Sequence, residues 1–194
     1  MGVRVTKGMK DMFELQKRTE DELLVCSEVG RSEVFDERVM GLLEDIGECM
    51  NNWQGHKYYQ MTQEPITAVK ATEVCENCGG TGYEDEKPEN GVCQNSDCKG
   101  GQVYENPLLM AYIKGLWQCI GLCQDFGVSP NYVGVIQGGS VKTQFFMAYE
   151  WTLRAKREPS MESFDYLLAV YMGLGDMLGF DFDFIVREFL DKTE

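Results

Sequence analysis

Two sets of side chains in this sequence have the types and spacing to do chemistry. The first is cysteine: Cys75-Glu-Asn-Cys78 and Cys93-Gln-Asn-Ser-Asp-Cys98 place four thiols in a 24-residue window. Paired short spacings of this kind suit one tetrahedral zinc ion, so Cys75, Cys78, Cys93 and Cys98 are the expected zinc ligands. Four sulfurs close the coordination sphere, whereas a catalytic zinc keeps a position for water. The expected role is therefore structural.

The second set is carboxylate. Asp45 and Glu48 are three apart with Asn52 four further on, which at about 100° per residue puts all three on one flank of a helix. Glu162 and Asp165 repeat the three-residue spacing at the start of a later helix, where the helix dipole favours negative charge. Two such pairs facing each other across a bundle would make an oxygen-rich pocket for Mg²⁺ or Mn²⁺. Acidic pairs at this spacing are also common on solvated helix faces, and spacing alone does not separate the two readings.

Helices must position these groups. Met12, Leu15 and Leu23 mark one flank of a helix over Met9–Leu24, and Val39, Leu42, Leu43, Ile46, Cys49, Met50 and Trp53 recur at three and four residues over about Val34–Asn52. Pro107 opens a helix that carries Leu109, Ile113, Leu116, Trp117, Ile120 and Cys123 on one face before Gly127. Ser140 caps a helix over Val141–Arg157, Pro159-Ser160 begins another reaching Leu178 with Gly179 as its stop, and Asp181 caps the last. Tyr132–Ile136 is the only β-branched run with strand character. The expected fold is all-α: residues 1–70 and 107–194 form a helical domain, and residues 71–106, rich in Cys, Gly, Asn and Glu, form a small zinc-binding insertion.

The chain has 194 residues, 43% of them hydrophobic, enough to bury a sizeable core. No apolar run approaches the roughly 20 residues needed to cross a bilayer, so a cytoplasmic protein with reduced thiols and no membrane partner is expected. A disulfide framework is disfavoured, and Cys26, Cys49, Cys119 and Cys123 are expected in the core. The net charge of −14 repels a phosphate backbone, which argues against nucleic-acid binding. Residues 70–106 alone hold three lysines against eight acids. Divalent cations bridging carboxylates to phosphates would still let such a chain act on nucleotides.

Several blocks are similar to a known family. Leu43-Glu-Asp45-Ile-Gly47-Glu48, followed by Asn51-Asn52 and Lys57-Tyr58-Tyr59, resembles the second motif of the dimeric all-α dUTPases and MazG-type nucleotide pyrophosphohydrolases. Phe13-Glu-Leu15-Gln16 looks like the first motif, Glu162-Ser-Phe-Asp165 like the second metal-binding pair, and Phe189-Leu-Asp-Lys192 like the start of the closing motif. The resemblance implies a Mg²⁺-dependent hydrolase that converts a nucleoside triphosphate such as dUTP to the monophosphate and pyrophosphate. Asp45, Glu48, Glu162 and Asp165 would hold the metal, and Glu48 would also orient the attacking water. Gln16, Asn52, Lys57 and Lys192 would contact the nucleotide, and a homodimer would form through apolar positions such as Trp117, Phe145 and Phe146. A rival alignment puts the third motif at Ala111-Tyr-Ile-Lys114, which replaces both acids. In that case the protein is a non-catalytic, zinc-bearing interaction protein on the same fold. Cys75-Glu-Asn-Cys78-Gly-Gly80-Thr-Gly82 also resembles the repeat of DnaJ-type zinc knuckles. His56, the one histidine, is expected at the surface, which leaves imidazole-based catalysis without support.

Overall fold

The computed structural model describes residues 7–95, 97–131 and 134–192, with the side chains of Lys7, Thr72, Glu73 and Lys192 outside that description. Tyr132 and Val133, the start of the expected strand, fall outside it, and residues 134–136 are not in a strand. Two compact units divide the chain, residues 1–51 with 111–194 and residues 52–110.

Six helices appear among the described residues: α1 (Lys7–Ser27), α2 (Phe35–Trp53), α3 (Pro107–Asp125), α4 (Val141–Arg157), α5 (Met161–Met177) and α6 (Phe182–Lys192). The capping chemistry sets several boundaries. Ser140 Oγ accepts from the Thr143 N–H to start α4, and Ser160 does the same from Ser163 for α5, with the Ser163 hydroxyl returning to the Ser160 N–H. None of these helices is long and apolar enough to cross a membrane.

The core of the first unit is built on α3 and α5. Tyr112 and Tyr171 stack at 5.1 Å between ring centroids, and each hydroxyl donates to the other residue's carbonyl. Two glycines make this exchange possible. A Cβ on Gly115 would fall 2.1 Å from the Tyr171 hydroxyl, and one on Gly175 would fall 2.4 Å from that of Tyr112. Gly115→Ala should therefore cost roughly 1–3 kcal/mol of overpacking, read as a fall in melting temperature. An unchanged melting temperature would mean the two rings can slide apart without loss.

The second unit departs from the all-α expectation. It contains an antiparallel sheet, order β1-β3-β2, from β1 (Val69–Val74), β2 (Cys98–Lys99) and β3 (Gln102–Glu105). The glycine pairs that signal loops in the sequence are the turns that bring these short strands together. Gly101, at φ +90, passes so close to Gly80 that a Cβ would fall 1.9 Å from the Gly80 carbonyl oxygen.

Candidate functional site

The four expected zinc ligands converge. The sulfurs of Cys75, Cys78, Cys93 and Cys98 all lie within 4.8 Å of one another. A tetrahedron of sulfurs about 2.3 Å from a zinc ion has edges of about 3.8 Å. Cys75 to Cys93 measures 3.7 Å, and Cys78 to Cys98 measures 3.8 Å. Two edges of the set already match that tetrahedron, and the set could hold a zinc ion. Backbone N–H groups point at the sulfurs, with Gly82 N 3.3 Å from Cys78 Sγ, and the Asn95 side-chain amide reaches Cys75 Sγ at 3.6 Å. Burial acts to raise the Cys78 thiol, but the Gly82 and Gly80 N–H groups outweigh it and bring it down to about 7. Burial pushes Cys98 up to about 12, the neighbouring thiols adding to the rise against an N–H from Gly101. Four thiolates at this spacing need a cation among them.

The carboxylates do not converge. Among the described residues, the cysteine set is the one group of three or more Cys, His, Asp or Glu side chains placed to share a metal ion. The reason lies in how far along each helix the pairs sit. Phe164 packs edge-on against Phe35 at the start of α2, with ring centroids 6.4 Å apart. Asp45 and Glu48 follow Phe35 by ten and thirteen residues, a rise of about 15 Å and about 20 Å. On α5 the residue level with Asp45 is Tyr171, since a Cβ on Gly115 would touch both the Tyr171 hydroxyl and the Asp45 Cβ. Asp165 and Glu162 precede Tyr171 by about 9 Å and about 14 Å of helix. The two pairs thus occupy different levels of the bundle.

A different residue faces the first pair. Helices α2 and α3 run antiparallel, with Arg38 against Asp125, Gly41 beside Gln118 and Asp45 beside Gly115. One turn further, Lys114 Nζ lies 3.4 Å from Glu48 Oε2. Burial pushes the Asp45 carboxyl up to about 6, against the pull of the Lys114 ammonium and with help from the charges of Glu48 and Glu44. A free aspartate ionises near 3.8. The folded state therefore holds this proton more tightly than the unfolded chain. The cost of burying the charge is present above pH 6 and fades as pH falls towards 4, so acidification through that window adds stability from this group. Asp45→Asn should flatten that part of the stability profile, and Lys114→Met should move the Asp45 titration above 6 by carboxyl NMR. A titration that moves down on removing Lys114 would contradict the arrangement.

The remaining expected contacts are scattered. Gln16 is 1% exposed, and its amide donates to Glu20 Oε2 at 2.9 Å instead of facing a ligand. Asn52 is buried and donates to the Pro107 carbonyl at 3.3 Å. Lys57 is half-buried beside the exposed Tyr58 and Tyr59, and His56 is half-buried with its Nδ1 enclosed. Lys192 ends α6, its side chain outside the description. Of the cysteines expected in the core, Cys49, Cys119 and Cys123 are buried, but Cys26 is exposed near the end of α1. Of the expected interface trio only Phe146 is exposed: Phe145 is buried, and Trp117 stacks on Phe189.

One feature of the first unit lay beyond sequence reasoning. Trp151, Arg154, Glu158, Pro159, Ser160, Glu162, Ser163 and Tyr166 line a cavity of about 390 Å³ at the α4–α5 turn. Glu162, expected on a metal, is part of its wall. No family model, curated protein or solved structure matches the chain.

Proposed function

We propose that this chain is a non-catalytic, zinc-bearing interaction protein whose helical scaffold carries a lysine where a nucleotide pyrophosphohydrolase would carry a divalent cation. The observation that carries the reading is Lys114, whose ammonium lies 3.4 Å from Glu48 and on the helix facing Asp45. It agrees with the alignment that places Ala111 and Lys114 at the second acidic motif.

The chemistry follows from the nature of the charge. Mg²⁺ would bridge carboxylates to phosphate oxygens and lower the pKa of a bound water. An ammonium fixed to the chain neutralises Glu48 but activates no water. With Glu162 and Asp165 at another level, too few oxygens remain around Asp45 and Glu48 for the expected metal site. The four cysteines hold structural zinc, with no coordination position left for a substrate. Zinc thiolates fit a reducing compartment such as the cytoplasm. Recognition of a partner is then the work left to the fold.

The test is direct. Incubation with a panel of dNTPs and Mg²⁺ or Mn²⁺ should release no pyrophosphate, and turnover abolished by Asp45→Asn would overturn the reading. Lys114→Asp should create a third facing carboxylate. That variant should gain a Mn²⁺-dependent rise in melting temperature that the parent protein lacks.

A further inference from the structure

We infer that the cavity at the α4–α5 turn is a docking site for an arginine side chain presented by a partner protein. Its floor is aromatic: Trp151 and Tyr166 stack with ring centroids 3.8 Å apart. Its polar walls are unspent. Among the described residues, the side chains of Glu158 and Glu162 have neither an ion pair nor a hydrogen bond, and the same is true of the Tyr166 hydroxyl. Glu158 and Arg154 are four apart on the chain, yet Arg154 lies over the Trp151 ring at 4.6 Å instead of pairing with that carboxylate.

Charge decides the class of occupant. Two carboxylates against one guanidinium leave the wall at −1, and the whole chain at −14 draws cations towards it. An anion would meet Glu158 and Glu162 at short range and gain one guanidinium in return. A guanidinium suits both components, since its N–H fork pairs with carboxylates and its plane stacks on an aromatic face. Arg154 already lies over the Trp151 ring, which leaves Tyr166 and the two carboxylates for an arriving arginine. The volume, at the small end of ligand pockets, fits one side chain better than an extended ligand. This names the partner chemistry for the interaction reading above and rests on it only to that extent. Turnover of a dNTP would remove that reading while leaving the peptide titration to decide this one.

The experiment uses the zinc-loaded full chain and capped hexaarginine, hexalysine and hexaglutamate peptides at physiological salt, with affinity read by calorimetry. Hexaarginine should bind more tightly than hexalysine. Glu158→Gln with Glu162→Gln should weaken it about tenfold, as should Tyr166→Ala. Both glutamates are exposed, so the fold should be retained, and an unchanged melting temperature checks it. Removing equal charge elsewhere, with Glu84→Gln and Glu86→Gln, should leave the affinity within about twofold, since neither side chain lines the cavity. Absence of hexaarginine binding, an equal loss in the Glu84 and Glu86 control, or equal affinity for hexalysine would each overturn the inference. So would hexaglutamate binding that is lost on Arg154→Gln.

Discussion

The four clustered cysteines are expected to hold zinc, and chelating it should dissolve the sheet of residues 69–105 while the helical unit keeps its ellipticity. The prediction follows from what the second unit lacks. Between residues 54 and 107, the only buried side chains among the described residues are Cys75 and Cys78, so the sheet itself buries no apolar side chain that could hold it once the sulfurs share no ion. The strands are too short to stand alone: β2 has two residues and β3 four. Binding free energy here is folding free energy, and a structural zinc contributes apparent values of about 10–16 kcal/mol in small zinc-finger peptides. Amide dispersion of Lys70, Val103 and Tyr104 should collapse on chelation and return with Zn²⁺. Cys78→Ser should give the same collapse without a chelator. The first unit buries Leu116, Ile120, Leu167, Leu168 and Leu174 among its own helices, and its far-ultraviolet signal should hold. Dispersed sheet amides in metal-free protein would show that the lobe folds without an ion.

The same contrast explains what was legible in the sequence. The clustering of the four cysteines was readable because it is local: two short spacings and the intervening glycines nearly define the geometry. Helix positions were readable because apolar periodicity and caps act within a few residues. The expected helix over Val141–Arg157 has the observed bounds, and Gly179 takes the left-handed conformation expected of a stop. The sheet escaped because its strands are short and lack the alternation of one buried face. The carboxylate pocket needed information of another kind. Periodicity fixes which way Asp45 and Glu162 face around their axes but says nothing about how far along the bundle each one sits. That is set by contacts such as Phe35 with Phe164 and Tyr171 with Gly115. Glu48 and Lys114 meet because α2 and α3 run antiparallel, which the spacing of Ala111 and Lys114 could signal only through an alignment.

Gln16 marks the other boundary of sequence reasoning, and its surroundings carry the second large effect. Its amide belongs to a cluster that ties α1 to α2 and α3. Arg38, 7% exposed, reaches Glu20 through Nε at 2.8 Å and pairs with Asp125 as well. Arg31 joins from the turn before α2, at 2.6 Å from Asp21, 3.1 Å from Glu20 and 3.0 Å from Asp125. Gly121 is the floor beneath them, since a Cβ there would fall 2.3 Å from Gln16 Nε2 and 2.5 Å from Arg38 Nη2. Arg38→Met should therefore leave the largely desolvated Glu20 and Asp125 to share Arg31 as their cation, costing about 3–5 kcal/mol, the usual result of removing one partner from a buried pair. At about 2–4 °C per kcal/mol for a chain of this size, the melting temperature should fall by roughly 10 °C. Removing all three charges together, with Glu20→Leu, Arg38→Met and Asp125→Leu, should recover most of that loss, because no buried charge is left unpaired. Thermal denaturation of the single and triple variants separates two roles for the cluster. A loss below about 1 kcal/mol in Arg38→Met would match a solvated surface pair instead, and the inward commitment of Gln16 would lose its support.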